Sequence, residues 1–116
     1  MRRFRNRITG VDQGSLMLFS DFETGGDMWT GEGARELRQT VEFSERYMSA
    51  PVVNVSISLW DIDQKSNQRA DITAENIRAD QFEIVFRTWG DTRVARIRAD
   101  WLAIGDLADD EIWDVK

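Results

Sequence analysis

The sequence has no histidine, no cysteine and a single proline among its 116 residues. Without an imidazole there is no Ser-His-Asp or Cys-His relay, no HExxH metal motif and no ordinary proton shuttle near neutral pH. Without a thiol there is no disulfide, so a core of this modest size must be held by packing or by association between copies. No apolar run is long enough to cross a bilayer, and the N-terminal arginines are not followed by an apolar stretch, so neither membrane insertion nor a secretory signal is expected. The net charge of −6 sets the body of the protein against nucleic acid and anionic membrane.

What remains is rich in large side chains. Five tryptophans, six phenylalanines and 41% hydrophobic residues describe a folded chain. Its length fits a single domain over residues 1–116, with a basic arm at 1–8 and an acidic tail at 106–116. The arm reads as a frayed terminus or strand end before it reads as a phosphate contact.

Between these ends the periodicity is two. Leu16-Met17-Leu18-Phe19, Thr40-Val41-Glu42-Phe43, Ile72 to Ile77 and Phe82-Glu83-Ile84-Val85-Phe86 read as strands. In Val53-Asn54-Val55-Ser56-Ile57-Ser58-Leu59 every odd position is apolar and every even one polar, the pattern of a half-buried antiparallel strand. A last strand carries Ala95, Ile97, Ala99, Trp101 and Ala103 on one face and Val94, Arg96, Arg98, Asp100 and Leu102 on the other. The charged face is either solvated or set against carboxylates such as Glu42, Glu83 or Asp100 in a symmetric interface. The one helix-like stretch, Ala34 to Arg38, is a turn at most. The fold class is therefore all-β, a six-stranded antiparallel sandwich of two sheets.

Several constellations invite a chemical reading. Asp61-Ile62-Asp63-Gln64-Lys65-Ser66-Asn67 starts like a calcium loop but has lysine at the fifth position, serine at the sixth and Ile72 at the twelfth, so no metal is expected and the aspartates are assigned to turn amides. The acidic residues are numerous enough for a glycosidase pair, yet nothing singles out two of them, so catalysis is not expected. The run Phe86 to Gly105 reads as strand, tight turn, strand, and its turn carries Trp89, Gly90, Asp91 and Arg93. An indole face, a carboxylate and a guanidinium can together hold a sugar. The alternative, a core tryptophan at a hairpin, stays open for Trp89, while Trp101 is assigned to the core. Arg69 and Glu32 lie in other polar loops that a sandwich can bring to the same rim.

The order of landmarks resembles the H-type lectins, a family that includes snail agglutinins and the C-terminal domain of a slime-mould discoidin. They are Arg35-Glu36-Leu37, Val41-Glu42-Phe43, Pro51-Val52-Val53, Ser56-Ile57-Ser58, Asp61, Asn67-Gln68-Arg69, Gln81-Phe82, Thr88-Trp89, Thr92 and Trp101. The likeness runs from about Gly31 to Gly105 and is weaker before Thr30. It implies a trimer, with stacked trimers as a further possibility, and a calcium-independent site for galactose or N-acetylgalactosamine between subunits, free of any cofactor. It implies sugar contacts at Glu32, at Arg69 from a neighbouring subunit, and at Trp89. Two family rings are missing here: an imidazole is replaced by Gly90 and a tyrosine by Ala95. Asp91 and Arg93 are expected to compensate with charged hydrogen bonds. The resulting expectation is a non-catalytic, trimeric glycan-binding domain acting on multivalent surfaces outside the cell or on a particle. The alternative is a trimeric spike or fibre head with a vestigial sugar site.

Overall fold

The computed structural model describes residues 1–5 and 8–109, so residues 110–116 of the acidic tail and Asn6 and Arg7 of the basic arm lie outside the described residues. The chain runs β1 (Thr9–Ser20), α1 (Asp27–Thr30), β2 (Arg35–Glu42), β3 (Val52–Ile62), β4 (Asp71–Glu75), β5 (Gln81–Thr88) and β6 (Val94–Asp106). All pairings are antiparallel and form two three-stranded sheets, β1-β6-β3 and β2-β5-β4. The all-β sandwich read from the period-two pattern is what forms. The stretch Ala34 to Arg38 is corrected: Arg35 to Arg38 begin β2, and the one helical turn lies earlier, at Asp27–Thr30. Arg35 explains the misreading, because a charge stands on the parity that Leu37 and Val41 reserve for the interior.

The core lies between the sheets. Phe82, Ile84, Phe86, Val94, Ile97, Ala99 and Ala103 are fully buried there. Phe43 stacks on Phe82 at 5.5 Å, and Trp101 meets Phe82 edge-on at 5.5 Å. Aromatic rings at such spacings add about 1 kcal/mol per pair beyond the area they bury. Tyr47 closes one end, its hydroxyl donating to the Ala103 carbonyl at 3.3 Å. Its phenol pKa is raised, mainly by burial and then by the charge of Asp12.

The outer faces of the two sheets differ. On the β2-β5-β4 sheet the register lines up Glu36 with Arg87 and Asp71, Arg38 with Val85 and Thr73, and Glu83 with Glu75. Arg38 contacts Glu36, Glu83 and, across the central strand, Glu75. Arg87 contacts Glu36, Asp71 and Glu75. Val85 stands at the middle of this lattice, between Arg38 and Thr73 in the register, with 0% of its surface exposed. On the β1-β6-β3 sheet the outer face is mixed. Val11 and Val52 flank Ile104 at one end, next to exposed Leu102, followed by a polar row of Ser15, Asp100 and Ser56. Within the chain, Arg96 on this face pairs with Asp61, and Arg98 donates to the Ser58 hydroxyl. Glu42 and Glu83, named as partners for these arginines only across a symmetric interface, stand on the other sheet of the same chain.

Candidate functional site

Three connections cross between the sheets at one end of the sandwich: residues 21–34, 63–70 and 89–93. The last of them is short because β5 ends on Thr88 and β6 starts on Val94. Two buried hydroxyls tie it to the 63–70 connection. Thr88 Oγ1 donates to the Arg69 carbonyl at 2.6 Å, and Thr92 Oγ1 donates to the Asn67 carbonyl at 2.5 Å while accepting the Arg69 N–H at 3.1 Å. The segment Asn67–Arg69 is thereby fixed against the turn.

On the other side the tie is Arg35, 6% exposed. Its Nη1 donates to the Met28 carbonyl at 3.1 Å and its Nε to the Gly33 carbonyl at 3.0 Å. Its Nη2 donates to the carbonyls of Thr92 at 2.8 Å and Gly90 at 3.3 Å. A planar guanidinium is the side chain that can satisfy several buried carbonyls at once. The Gly33 N–H also donates to the Gly90 carbonyl at 2.9 Å, which sets the Gly31–Gly33 turn beside the 89–93 turn.

Trp89 is 45% exposed and borders a shallow groove lined by Ala34, Arg35, Glu36, Arg87 and Thr88. Gly90 has φ 68°, the left-handed region, and a Cβ there would lie 3.1 Å from Arg69 Nη1. Arg69 Nη1 pairs with Asp91 Oδ1 at 2.7 Å. Asp91 also accepts from the Asn67 side chain at 3.2 Å and from its backbone N–H at 3.3 Å. These bonds, the Asn67 side chain first and Arg69 among the lesser causes, hold the Asp91 carboxyl below the usual carboxylate range. Asp91 is thus ionised at neutral pH and exposed, next to a guanidinium that keeps further donors.

Of the residues singled out from the sequence, Arg69, Gly90 and Asp91 stand in direct proximity, with Trp89 next in the chain. Glu32 is exposed at the tip of the adjoining Gly31–Gly33 turn. Arg93 turns elsewhere. Its Nε donates to the Trp29 carbonyl at 3.0 Å, its guanidinium lies 4.4 Å over the Trp29 ring, and its Nη1 is 3.8 Å from Asp63. Ala95 is buried at the start of β6, its carbonyl accepting the Asp21 N–H at 2.7 Å. Arg35 and Asn67, quoted from the sequence as family landmarks and not as site residues, and Trp29, not singled out at all, stand at the rim. The signal for Arg35 is its interior parity in β2; Asn67 and Trp29 become visible only once the loops meet.

No group of three or more metal-ligating side chains is found among the described residues. Asp63 accepts the Lys65 N–H at 3.1 Å, as expected of a turn aspartate, whereas Asp61 pairs with Arg96.

Comparison with known proteins gives the family and the fold of the chain. Residues 38–104 match the model of the H-type lectin domain. An open reading frame (ORF 7) in the ATP synthase subunits region of Fuscovulum blasticum is 59% identical over 107 residues, covering 92% of this chain and 93% of that protein. A discoidin-1 polypeptide of Dictyostelium discoideum is 32% identical over 96 residues, 80% of this chain, and the matched part is 38% of its length. The crystal structure of recombinant discoidin II from the same organism superposes with a TM-score of 0.75 at 23% identity, over 90% of this chain and 39% of that one.

Proposed function

This chain belongs to the H-type lectin domain family, and from that premise we propose that it binds glycans through the rim built on Arg35, without calcium and without chemistry on the bound sugar. The observation that carries the reading is an exposed Trp89 at the start of the turn whose Asp91 pairs with Arg69. An indole offers a face for the C–H surface of a sugar, the ionised carboxylate accepts from hydroxyls, and the guanidinium donates to them. Glu32 adds a second carboxylate from the adjoining turn. Galactose and N-acetylgalactosamine are the first sugars to consider, and the loss of two pocket rings at Gly90 and Ala95 favours a polar or charged glycan.

The site is proposed to work as part of a homotrimer. The apolar row of Val11, Ile104 and Val52 with Leu102 supports the outer β1-β6-β3 face as the surface between copies, whereas the opposite face is a saturated charge lattice. Three weak sites on one particle act by avidity, which suits a repetitive glycan surface.

The experiment is a glycan array with the purified protein in chelator, with its mass in solution measured alongside. Selective binding to a related set of glycans supports the reading. A blank array from a folded trimer moves the assignment to a structural spike or fibre head; the observation that favours this second reading is that the Asp91 carboxylate is already taken by Arg69 and Asn67.

A further inference from the structure

The segment Asp21–Thr30 lies outside the residues matched by the family model, yet its backbone is closely organised. Asp21 is the organiser: its carbonyl accepts the Gly26 N–H at 2.9 Å, its Oδ2 accepts the Met28 N–H at 3.0 Å, and its own N–H reaches Ala95 on β6. A Cβ at Gly26 would fall 2.3 Å from the Asp21 carboxyl carbon, so a side chain there would displace the carboxylate that accepts the Met28 N–H. Met28 enters the core, and Trp29 is half-buried between two partners. Arg93 lies over its ring at 4.4 Å and bonds its carbonyl; Phe22 meets it edge-on at 4.9 Å and 81°. Phe22 itself is 57% exposed.

An exposed ring on a frayed loop needs no explanation, but this one meets edge-on a second ring that itself lies under a guanidinium. It is also close to the rim. The carbonyls of Met28 and Gly90 bond the same Arg35 guanidinium, at 3.1 and 3.3 Å, so the two segments are no further apart than that group spans. Beside the rings stand Arg93, which keeps exposed N–H groups, and the Asp63 carboxylate. Aromatic edge, donor and acceptor repeat the chemistry of the Trp89 side of the rim.

We propose that Phe22 and Trp29, with Arg93 beside them, form a second saccharide subsite that takes a further ring of a glycan chain whose terminal ring lies at Trp89. The inference rests on the lectin reading and adds to it a preference for oligosaccharide over monosaccharide. Arg93 then serves the second ring rather than the first, which accounts for its turn away from Asp91.

The test is calorimetric titration of the protein as purified, using galactose, N-acetylgalactosamine and tri- and tetrasaccharides ending in each. The native chain is expected to favour the oligosaccharides, and Phe22→Ala to reduce that preference about fivefold to tenfold, the worth of one ring contact. Phe22→Tyr is expected to keep it. In a parallel NMR titration the Trp29 indole N–H is expected to shift with the oligosaccharides and not with the monosaccharides. If Trp89→Ala abolishes binding while Phe22→Ala leaves the preference unchanged and the Trp29 signal stays still, the subsite is overturned and the lectin reading stands. If the native chain binds none of these sugars, both fall.

Discussion

Gly14 on β1 lies directly across from Trp101 on β6, and a Cβ at Gly14 would sit 2.6 Å from the indole Nε1. The indole cannot withdraw, because Phe43 and Phe82 pack against it at 6.0 and 5.5 Å. Gly14→Ala is therefore expected to destabilise the fold by about 1–3 kcal/mol, the cost of overpacking a fixed ring. Thermal denaturation followed by near-UV circular dichroism checks this; an unchanged midpoint would mean that Trp101 is free to move.

Arg35 is the second test. Arg35→Met keeps most of the buried volume and removes the donors to Met28, Gly33, Gly90 and Thr92. A loss of about 2–4 kcal/mol is expected, since buried carbonyls lose their partners. Faster amide exchange at Gly33 is expected with it, because its bond to Gly90 depends on the same frame.

Gly90→Ala probes the rim more locally. The left-handed φ costs an alanine about 1 kcal/mol, and the new methyl crowds Arg69. The variant is expected to fold with a slightly lower melting midpoint and to lose glycan affinity as Arg69 is pushed from Asp91. Calorimetric titration with the best array ligand reads the second effect.

Acid should weaken the fold in a defined window. Glu83 is held below its ordinary value of 4.5 chiefly by Arg38, and Glu75 by the Thr73 hydroxyl and then Arg87. Asp91 is held below 3.8 chiefly by Asn67, and Asp100 chiefly by Ser15 and then Ser58. Groups with a lowered folded pKa contribute fully above the unfolded value, and the contribution is lost as pH falls through the folded one. Urea midpoints are expected to be flat from neutral pH down to about 5.5 and to fall below about pH 5. High salt should lessen the effect, because the pairs on the charged face are exposed.

The proposed subunit face has its own test. Leu102→Asp places a charge among Val11, Val52 and Ile104, where an interface would desolvate it. Sedimentation velocity is expected to show a shift from trimer to monomer with the strand content unchanged. An unaffected assembly would move the interface elsewhere.

The β-sandwich is legible in the sequence because inward apolar positions on β3, β5 and β6 recur at every second residue, even though Val85, Leu102 and Ile104 stand among the outward ones. Lengths are less so. Only Leu16 to Phe19 of β1 reads as strand, whereas the element runs Thr9–Ser20. Gly10 and Gly14 look like turn residues in one dimension; in three they make room for Leu107 and Trp101. β2 is obscured by the buried charge of Arg35. At the rim, the tryptophan, aspartate and glycine of the 89–93 turn stand out together. The direction of Arg93 does not, because its partners Trp29 and Asp63 are 64 and 30 positions away and meet it only through the sandwich.

The inward-facing guanidinium of Arg35 separates two tasks that small binding domains often merge. It bonds backbone carbonyls alone, so it fixes where the loops run without regard to the side chains at their tips. Residues such as Glu32, Trp89 and Phe22 can then be exchanged without rebuilding the frame that presents them. A rim of this kind is a socket with interchangeable contacts, in which the tips can change while the frame stays the same.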